Sequence, residues 1–322
     1  MSEKFLDREK AMANLWITTV RYRTVPYQIE NNANQQEEDM RFVTFEQDGR
    51  QGLAIEAQGG LRGLTVNDAG YPGDLTELLK EGGASLEEAN RRLAGGRALE
   101  EESIRFLPPL TRPSKIICVG LNYADHTKES PYDQPDYPTV FTRFASSLIG
   151  HQASIIRPAG SEQLDYEGEM AVVIGTGGRN ISRVRALDHV AGYSVFNDAS
   201  VRDYQFKSPQ WTMGKNFDAT GAFGPAFVTA DELPLGGKGL QLRTLLNGEV
   251  VQQANTDDLI FDVADLISII SEVLTLEPGD VLVTGTPAGV GFARKPPIYM
   301  REGDVCSVEV EGLGTLINPV SR

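Results

Sequence analysis

The residues best equipped for chemistry sit together in Asp165-Tyr166-Glu167-Gly168-Glu169, which runs into the apolar stretch Met170-Ala171-Val172-Val173-Ile174. Alternate side chains of an extended strand share a face, so Asp165, Glu167 and Glu169 are expected to project together. Same-face carboxylates about 7 Å apart, or closer where they converge, repel by about 1–4 kcal/mol at an effective dielectric near 20. A divalent cation or a set of Lys and Arg partners can offset that repulsion; the bland alternative is the solvated face of an edge strand. A second strand-like run, His189 to Asp198, ends in a carboxylate placed to complete an all-oxygen site with Glu167 and Glu169. Three carboxylates plus water suit the octahedral preference of Mg²⁺ or Mn²⁺, whereas zinc would want His or Cys. Arg202 and Lys215 are the obvious counter-charges, and they keep a purely ionic network open as the competing reading.

His126 and Glu129 form a second chemical pair. Their i, i+3 spacing puts both on one face of a helical turn, where a carboxylate can orient and polarise an imidazole. The ordinary reading is a surface turn with an incidental contact. Pro131, Pro135 and Pro138 punctuate the loop that follows, which has the composition of a lid. Further on, Thr284-Gly285-Thr286-Pro287-Ala288-Gly289-Val290-Gly291 lacks the Gly-Lys-Ser/Thr ending of a phosphate loop. It reads either as tight β packing or as backbone N–H and hydroxyl donors facing an anionic substrate. His151 and His189 have no carboxylate at useful spacing and read as structural.

The elements that must position these groups are mostly strands. The run ending at Gly175 reads as a strand buried on both faces, and Ser114 to Gly120 as a shorter one that delivers His126. Arg41 to Ile55 carries a hairpin signal around Asp48-Gly49, and Asn247-Gly248 marks another. Leu75 to Leu93 has helical spacing broken at Gly82-Gly83, with Ser85 as the expected cap of a second helix. Val263, Leu266, Ile267, Ile270 and Leu274 outline a core-facing helix, with Asp257 or Asp258 expected to cap it. The chain is expected to divide into a polar extension over 1–39, in which Trp16 to Val20 can form a short strand, a small α+β domain over 40–110, and a catalytic domain over 111–322.

Lys+Arg 30 against Asp+Glu 45 gives a net charge of −15, which repels polyanions and excludes nucleic acid as an expected partner. Cys118 and Cys306 lie in apolar runs and are expected as core thiols in a reducing, cytoplasmic setting. No run approaches the roughly 18 apolar residues needed to span a bilayer, so no membrane partner is expected.

Taken in order, Gly120-Leu121-Asn122-Tyr123-Ala124-Asp125-His126-Thr127-Lys128-Glu129, Asp165 to Glu169, Asn197-Asp198 with Arg202-Asp203-Tyr204-Gln205, Gly214-Lys215 and Thr284 to Gly291 resemble the fumarylacetoacetate hydrolase family. The likeness covers essentially all of Ser114–Val320. Each motif is weak alone; their order and spacing together are specific. The resemblance implies an α+β, predominantly β fold with a mixed β-sandwich roll core, usually a homodimer, holding Mg²⁺ or Mn²⁺ on Glu167, Glu169 and Asp198. It makes His126 and Glu129 a water-activating dyad and Lys215 the charge beside the metal and a developing enolate. Arg202, Gln205 and Thr286 would hold substrate oxygens, joined by Arg143 at a position where many relatives carry Lys. The His-x-x-Glu turn is similar to that of the smaller acylpyruvase-type members. The activity implied is hydrolytic carbon–carbon cleavage of an acylpyruvate, such as fumarylpyruvate, to pyruvate and a carboxylate. Decarboxylation of an oxaloacetate-like acid, and hydration or isomerisation of a 2-oxo-enoate, are the alternatives on the same site. A non-catalytic binding protein is the remaining one.

Overall fold

The computed structural model describes residues 40–129 and 133–322; the expected strand at Trp16 to Val20 and part of the expected lid lie outside them. The chain enters through Arg41–Gln47 and Arg50–Ala57, an antiparallel hairpin extended by Gly60–Thr65. Asp48 and Gly49 both take positive φ (50° and 74°), the backbone that a two-residue hairpin turn requires. Arg41–Gln47 then pairs with Gly221–Thr229, so the opening strands continue the large sheet instead of forming one of their own.

Across that sheet the order runs Gly221–Thr229, Val190–Asp198, Gly168–Ile174, Val281–Val283, Ile116–Gly120 and finally Thr139–Arg143. Every residue of Gly168–Ile174 is buried, as a strand covered on both faces demands. Alternation sends Ala171 and Val173 into a cluster with Phe42, Ile116, Phe196 and Phe223, and Met170, Val172 and Ile174 into one with Val195, Leu266 and Val308. Each Val, Ile, Leu, Met or Phe among them contributes about 1.5–3 kcal/mol by leaving water. The second cluster is roofed by the helix Val263–Val273 and by a second sheet, in the order Glu249–Asn255, Gln241–Leu246, Val305–Val310, Gly314–Ser321 and Ile155–Ile156. The architecture is mostly β with open mixed sheets and a few helices, as expected. Cys118 and Cys306 are free, buried thiols, and no helix among the described residues is long and apolar enough to cross a membrane.

Two caps differ from expectation. The helix Val263–Val273 is capped by Asp262, whose side chain accepts from the Asp265 N–H, while Asn255 to Asp258 cap a separate short turn. Ser85 lies inside the helix Gly83–Ala94, where its hydroxyl donates to Glu81; Gly82 holds the N-cap position, and no side chain caps that end.

Register explains where the site forms. Gly168–Ile174 and Val190–Asp198 are antiparallel with Gly168 opposite Asn197, so the start of one strand meets the end of the other. Val281–Val283 is antiparallel to Gly168–Ile174 and parallel to Ile116–Gly120. The carboxyl ends of both therefore release their loops at the same edge.

Candidate active site

Glu167, Glu169 and Asp198 each offer a carboxylate oxygen within 4.8 Å of the others, and all three are buried. The strand is broken between Asp165 and Gly168, which splits the expected row of three. Asp165 leaves the cluster and is held by the N–H groups of Gly291 (2.7 Å) and Phe292 (3.0 Å) and by Arg202 Nε (2.8 Å). Its part is to anchor Arg202.

Three cations face the carboxylates. Lys215, on the helical turn Thr212–Lys215, donates to Glu167 Oε2 at 2.5 Å and Asp198 Oδ2 at 2.6 Å, with its ammonium 4.7 Å from the Phe141 ring centre. Arg202 Nη1 reaches Glu167 Oε1 (2.6 Å) and Gln205 Oε1 (2.8 Å), while its guanidinium stacks 4.6 Å from the Phe292 ring centre. Arg202 Nη2 is buried with no hydrogen-bond partner among the described residues. Arg143 lies behind Asp198: its guanidinium binds that carboxylate, the Ala199 carbonyl, Thr220 and Ser147. That surrounding consumes the guanidinium, so Arg143 buttresses Asp198 and does not line the cleft formed by His126, Phe141, Glu167, Glu169, Arg202 and Gln205.

Among the described residues, the buried carboxylates Asp165, Glu167, Glu169 and Asp198 are ion-paired by three side chains, Arg143, Arg202 and Lys215, which leaves one negative charge unmatched. Burial opposes ionisation of Glu167, but the Lys215 and Arg202 charges overcome it and hold its pKa at about 2. Glu169 bears the shortfall. Burial, with the Asp198 and Glu167 charges beside it, pushes its carboxyl well above the ordinary range, and a Gly285 N–H at 2.5 Å is its hydrogen bond. Asp198 is also raised, because burial outweighs Lys215 and Arg143. Three convergent hard oxygens with surplus negative charge and no Cys or His among them fit a divalent cation.

His126 and Glu129 lie on the helical turn Ala124–Glu129, delivered by Ile116–Gly120. His126 Nδ1 is 3.0 Å from Glu129 Oε1, and both Glu129 oxygens accept from the Gly289 N–H at 3.0 Å. With Nδ1 engaged, Nε2 is the nitrogen left for the cleft that His126 lines. Thr286 also lines it; its hydroxyl donates to the Gly168 carbonyl (3.0 Å) and accepts from Gln252 Nε2 (2.8 Å), so that proton is not available to a substrate. His151 accepts from the Ile317 N–H and His189 contacts the Thr176 carbonyl, both outside this cleft.

The glycine-rich turn has a function that neither reading of its sequence contained. Its amides serve the protein's own carboxylates: Gly285 binds Glu169, Gly289 binds Glu129, and Gly291 with Phe292 binds Asp165. Gly289 has φ +104°, and a Cβ there would lie 2.3 Å from the Val251 carbonyl oxygen, so only glycine fits.

Comparison with known proteins gives the site a family. Residues 115–321 match the fumarylacetoacetate (FAA) hydrolase C-terminal family. The chain is 41% identical over 307 residues to the human mitochondrial oxaloacetate tautomerase FAHD2A, covering 93% of this chain and 98% of that one. Among solved structures it is similar to a fumarylacetoacetate hydrolase from the psychrophile Exiguobacterium antarcticum, with TM-score 0.76, 39% identity, and coverage of 87% of this chain and 99% of that one. A 5-carboxymethyl-2-hydroxymuconate delta-isomerase from Mycobacterium smegmatis matches with TM-score 0.68, 33% identity, and coverage of 88% and 99%. The human relative is mitochondrial, so similarity lends no support to the cytoplasmic expectation. With a matching profile over most of its length and relatives matched nearly end to end, this chain belongs to the fumarylacetoacetate hydrolase family.

Proposed function

We propose that this chain is a divalent-metal-dependent tautomerase, moving a proton between carbon and oxygen in a 2-oxo dicarboxylate of the oxaloacetate type. The observation that carries it is the cleft itself. Glu167 and Glu169 of the buried acidic triad, an arginine with one donor unpartnered among the described residues, and an imidazole held through Nδ1 line one small opening, with Asp198 behind the two glutamates. Similarity favours proton transfer over hydrolysis: the human relative is named for oxaloacetate tautomerisation and the mycobacterial neighbour for isomerisation, against one neighbour named as a hydrolase. The acylpyruvate cleavage expected from the sequence is therefore the less supported reading.

Glu167, Glu169 and Asp198 would hold Mg²⁺ or Mn²⁺, whose charge would make the hydrogen beside a 2-oxo group more acidic. His126 Nε2 takes that hydrogen as a proton and returns it to the neighbouring oxygen, while Glu129 holds Nδ1–H and so keeps the tautomer that leaves Nε2 basic. Lys215, which Asp198 and Glu167 keep protonated against burial, adds fixed positive charge where the enolate oxygen develops. Arg202 Nη2 meets the second carboxylate of the substrate and Gln205 lies beside it. The working assembly in this reading is a homodimer, which light scattering measures directly.

The test is proton NMR of oxaloacetate in D₂O with Mg²⁺, alongside assays for pyruvate release from acylpyruvates and for CO₂. We expect enol decay and C3 deuteration far above the Mg²⁺ blank, with neither product accumulating. Acylpyruvate cleavage without enhanced exchange would refute the reading.

A further inference from the structure

We propose that Gln252 is a positioning residue for the metal centre, fixing the two peptide planes that aim Glu167 and Glu169. The inference rests on the metal-dependent reading above. Gln252 lies in Glu249–Asn255, a strand of the second sheet, opposite Thr244 on the neighbouring strand. Directly opposed residues share a face, and both side chains reach Gly168, the residue between the two glutamates. A Cβ on Gly168 would lie 2.1 Å from Thr244 Oγ1, so the second sheet seats against its bare Cα.

Hydrogen bonding does the aiming. Gln252 Oε1 accepts from the Gly168 N–H at 3.0 Å, which fixes the peptide joining Glu167 to Gly168. Gln252 Nε2 donates to Thr286 Oγ1 at 2.8 Å and to the Pro287 carbonyl at 2.9 Å. Thr286 Oγ1 in turn donates to the Gly168 carbonyl at 3.0 Å, which fixes the peptide leading to Glu169. One amide, 2% exposed, thus controls both planes through a closed ring of hydrogen bonds. A residue serving only to fill space here would be apolar, because a buried amide costs stability unless satisfied. Groups that orient metal ligands from behind set affinity as well as activity.

The experiment uses the purified full chain and measures free Mn²⁺ by electron paramagnetic resonance, with melting curves taken in metal-free buffer. Gln252→Met keeps length and volume but loses all three hydrogen bonds; we expect Mn²⁺ affinity to fall about 10–100-fold. Gln252→Asn keeps the amide one methylene short of its partners and is expected to shift affinity in the same direction, which covers the case where the Met variant does not fold. Thr244→Val touches the same glycine but loses no hydrogen bond, because Thr244 Oγ1 has none among the described residues, and is expected to bind as the parent does. A Gln252 variant that melts lower yet binds Mn²⁺ within twofold of the parent, while Glu169→Gln has lost it, overturns the positioning role alone. If Glu169→Gln itself binds like the parent, the metal reading fails and this inference with it.

Discussion

Glu129→Gln isolates the proposed base from everything else in the cleft. In the parent, both Glu129 oxygens accept from the Gly289 N–H and one also meets His126 Nδ1. A glutamine has one acceptor oxygen, and the Gly289 amide claims it. The NH₂ group then faces His126, so Nδ1 must accept and the ring proton moves to Nε2, the position needed to receive the substrate's proton. General-base catalysis of this kind is worth about 10²–10⁴-fold, or about 2.7–5.4 kcal/mol of barrier. The fold loses little, since neutral for charged exchange at one partly exposed site costs about 1–2 kcal/mol. Glu129 is not one of the triad carboxylates, so Mn²⁺ affinity is expected to stay within about threefold of the parent. The assay is C3 deuteration of oxaloacetate at saturating Mg²⁺, with metal binding measured on the same sample. Activity within about threefold of the parent, with metal bound, would show that His126 and Glu129 do not move the proton. A decarboxylase using the same metal site would give that outcome.

Four further results are expected from the charge balance and packing. Glu169 holds its proton above the pH at which an exposed glutamate loses it, because burial and the neighbouring Asp198 and Glu167 charges raise it; a cation needs it ionised, so metal affinity should rise with pH and binding should release a proton. Calorimetry in two buffers of different ionisation enthalpy reads that release. The sign also governs stability: a carboxyl raised in the fold stabilises the metal-free protein at low pH and less as pH rises through its value, so Mg²⁺ should raise Tm more in mildly alkaline than in mildly acidic buffer. Glu169→Gln mimics the protonated state, and is expected to melt like the metal-free parent and to show no Mg²⁺ shift. Gly168→Ala drives a methyl to within 2.1 Å of Thr244 Oγ1 and 3.0 Å of Val308 Cγ1; overpacking of this sort costs about 1–3 kcal/mol, visible as a lower Tm without metal.

The parts of the site legible in the sequence are those set by local spacing. Glu167 and Glu169 alternate on one backbone, His126 and Glu129 share a helical turn, and a carboxylate at the end of Val190–Asp198 needs only antiparallel pairing to join them. The hydrophobic run that buries Gly168–Ile174 and the periodicity of Val263–Val273 are likewise short-range signals. What escaped depends on partners far away in the chain. Asp165 has the same alternation as Glu167 and Glu169, yet amides more than 120 residues later turn it toward Arg202. Arg143 reads as a substrate cation until Thr220, Ser147 and Asp198 close around it. Gln252 sits in an unremarkable polar hairpin, and no local pattern says that its amide ends beside Gly168. Asp262 outcompetes Asp257 and Asp258 as a cap because the chain makes a separate turn before the helix begins.

The pairing of Arg41–Gln47 with Gly221–Thr229 has a practical consequence. Asp198 lies directly across the ladder from Gly221, so one strand separates a triad carboxylate from the opening hairpin. Clipping the chain near Arg112 would strip that flank, unsheathing Phe227 where Phe42 had covered it and leaving bare amides that invite another molecule to zip on. Proteolysis there should yield precipitate instead of a smaller working enzyme.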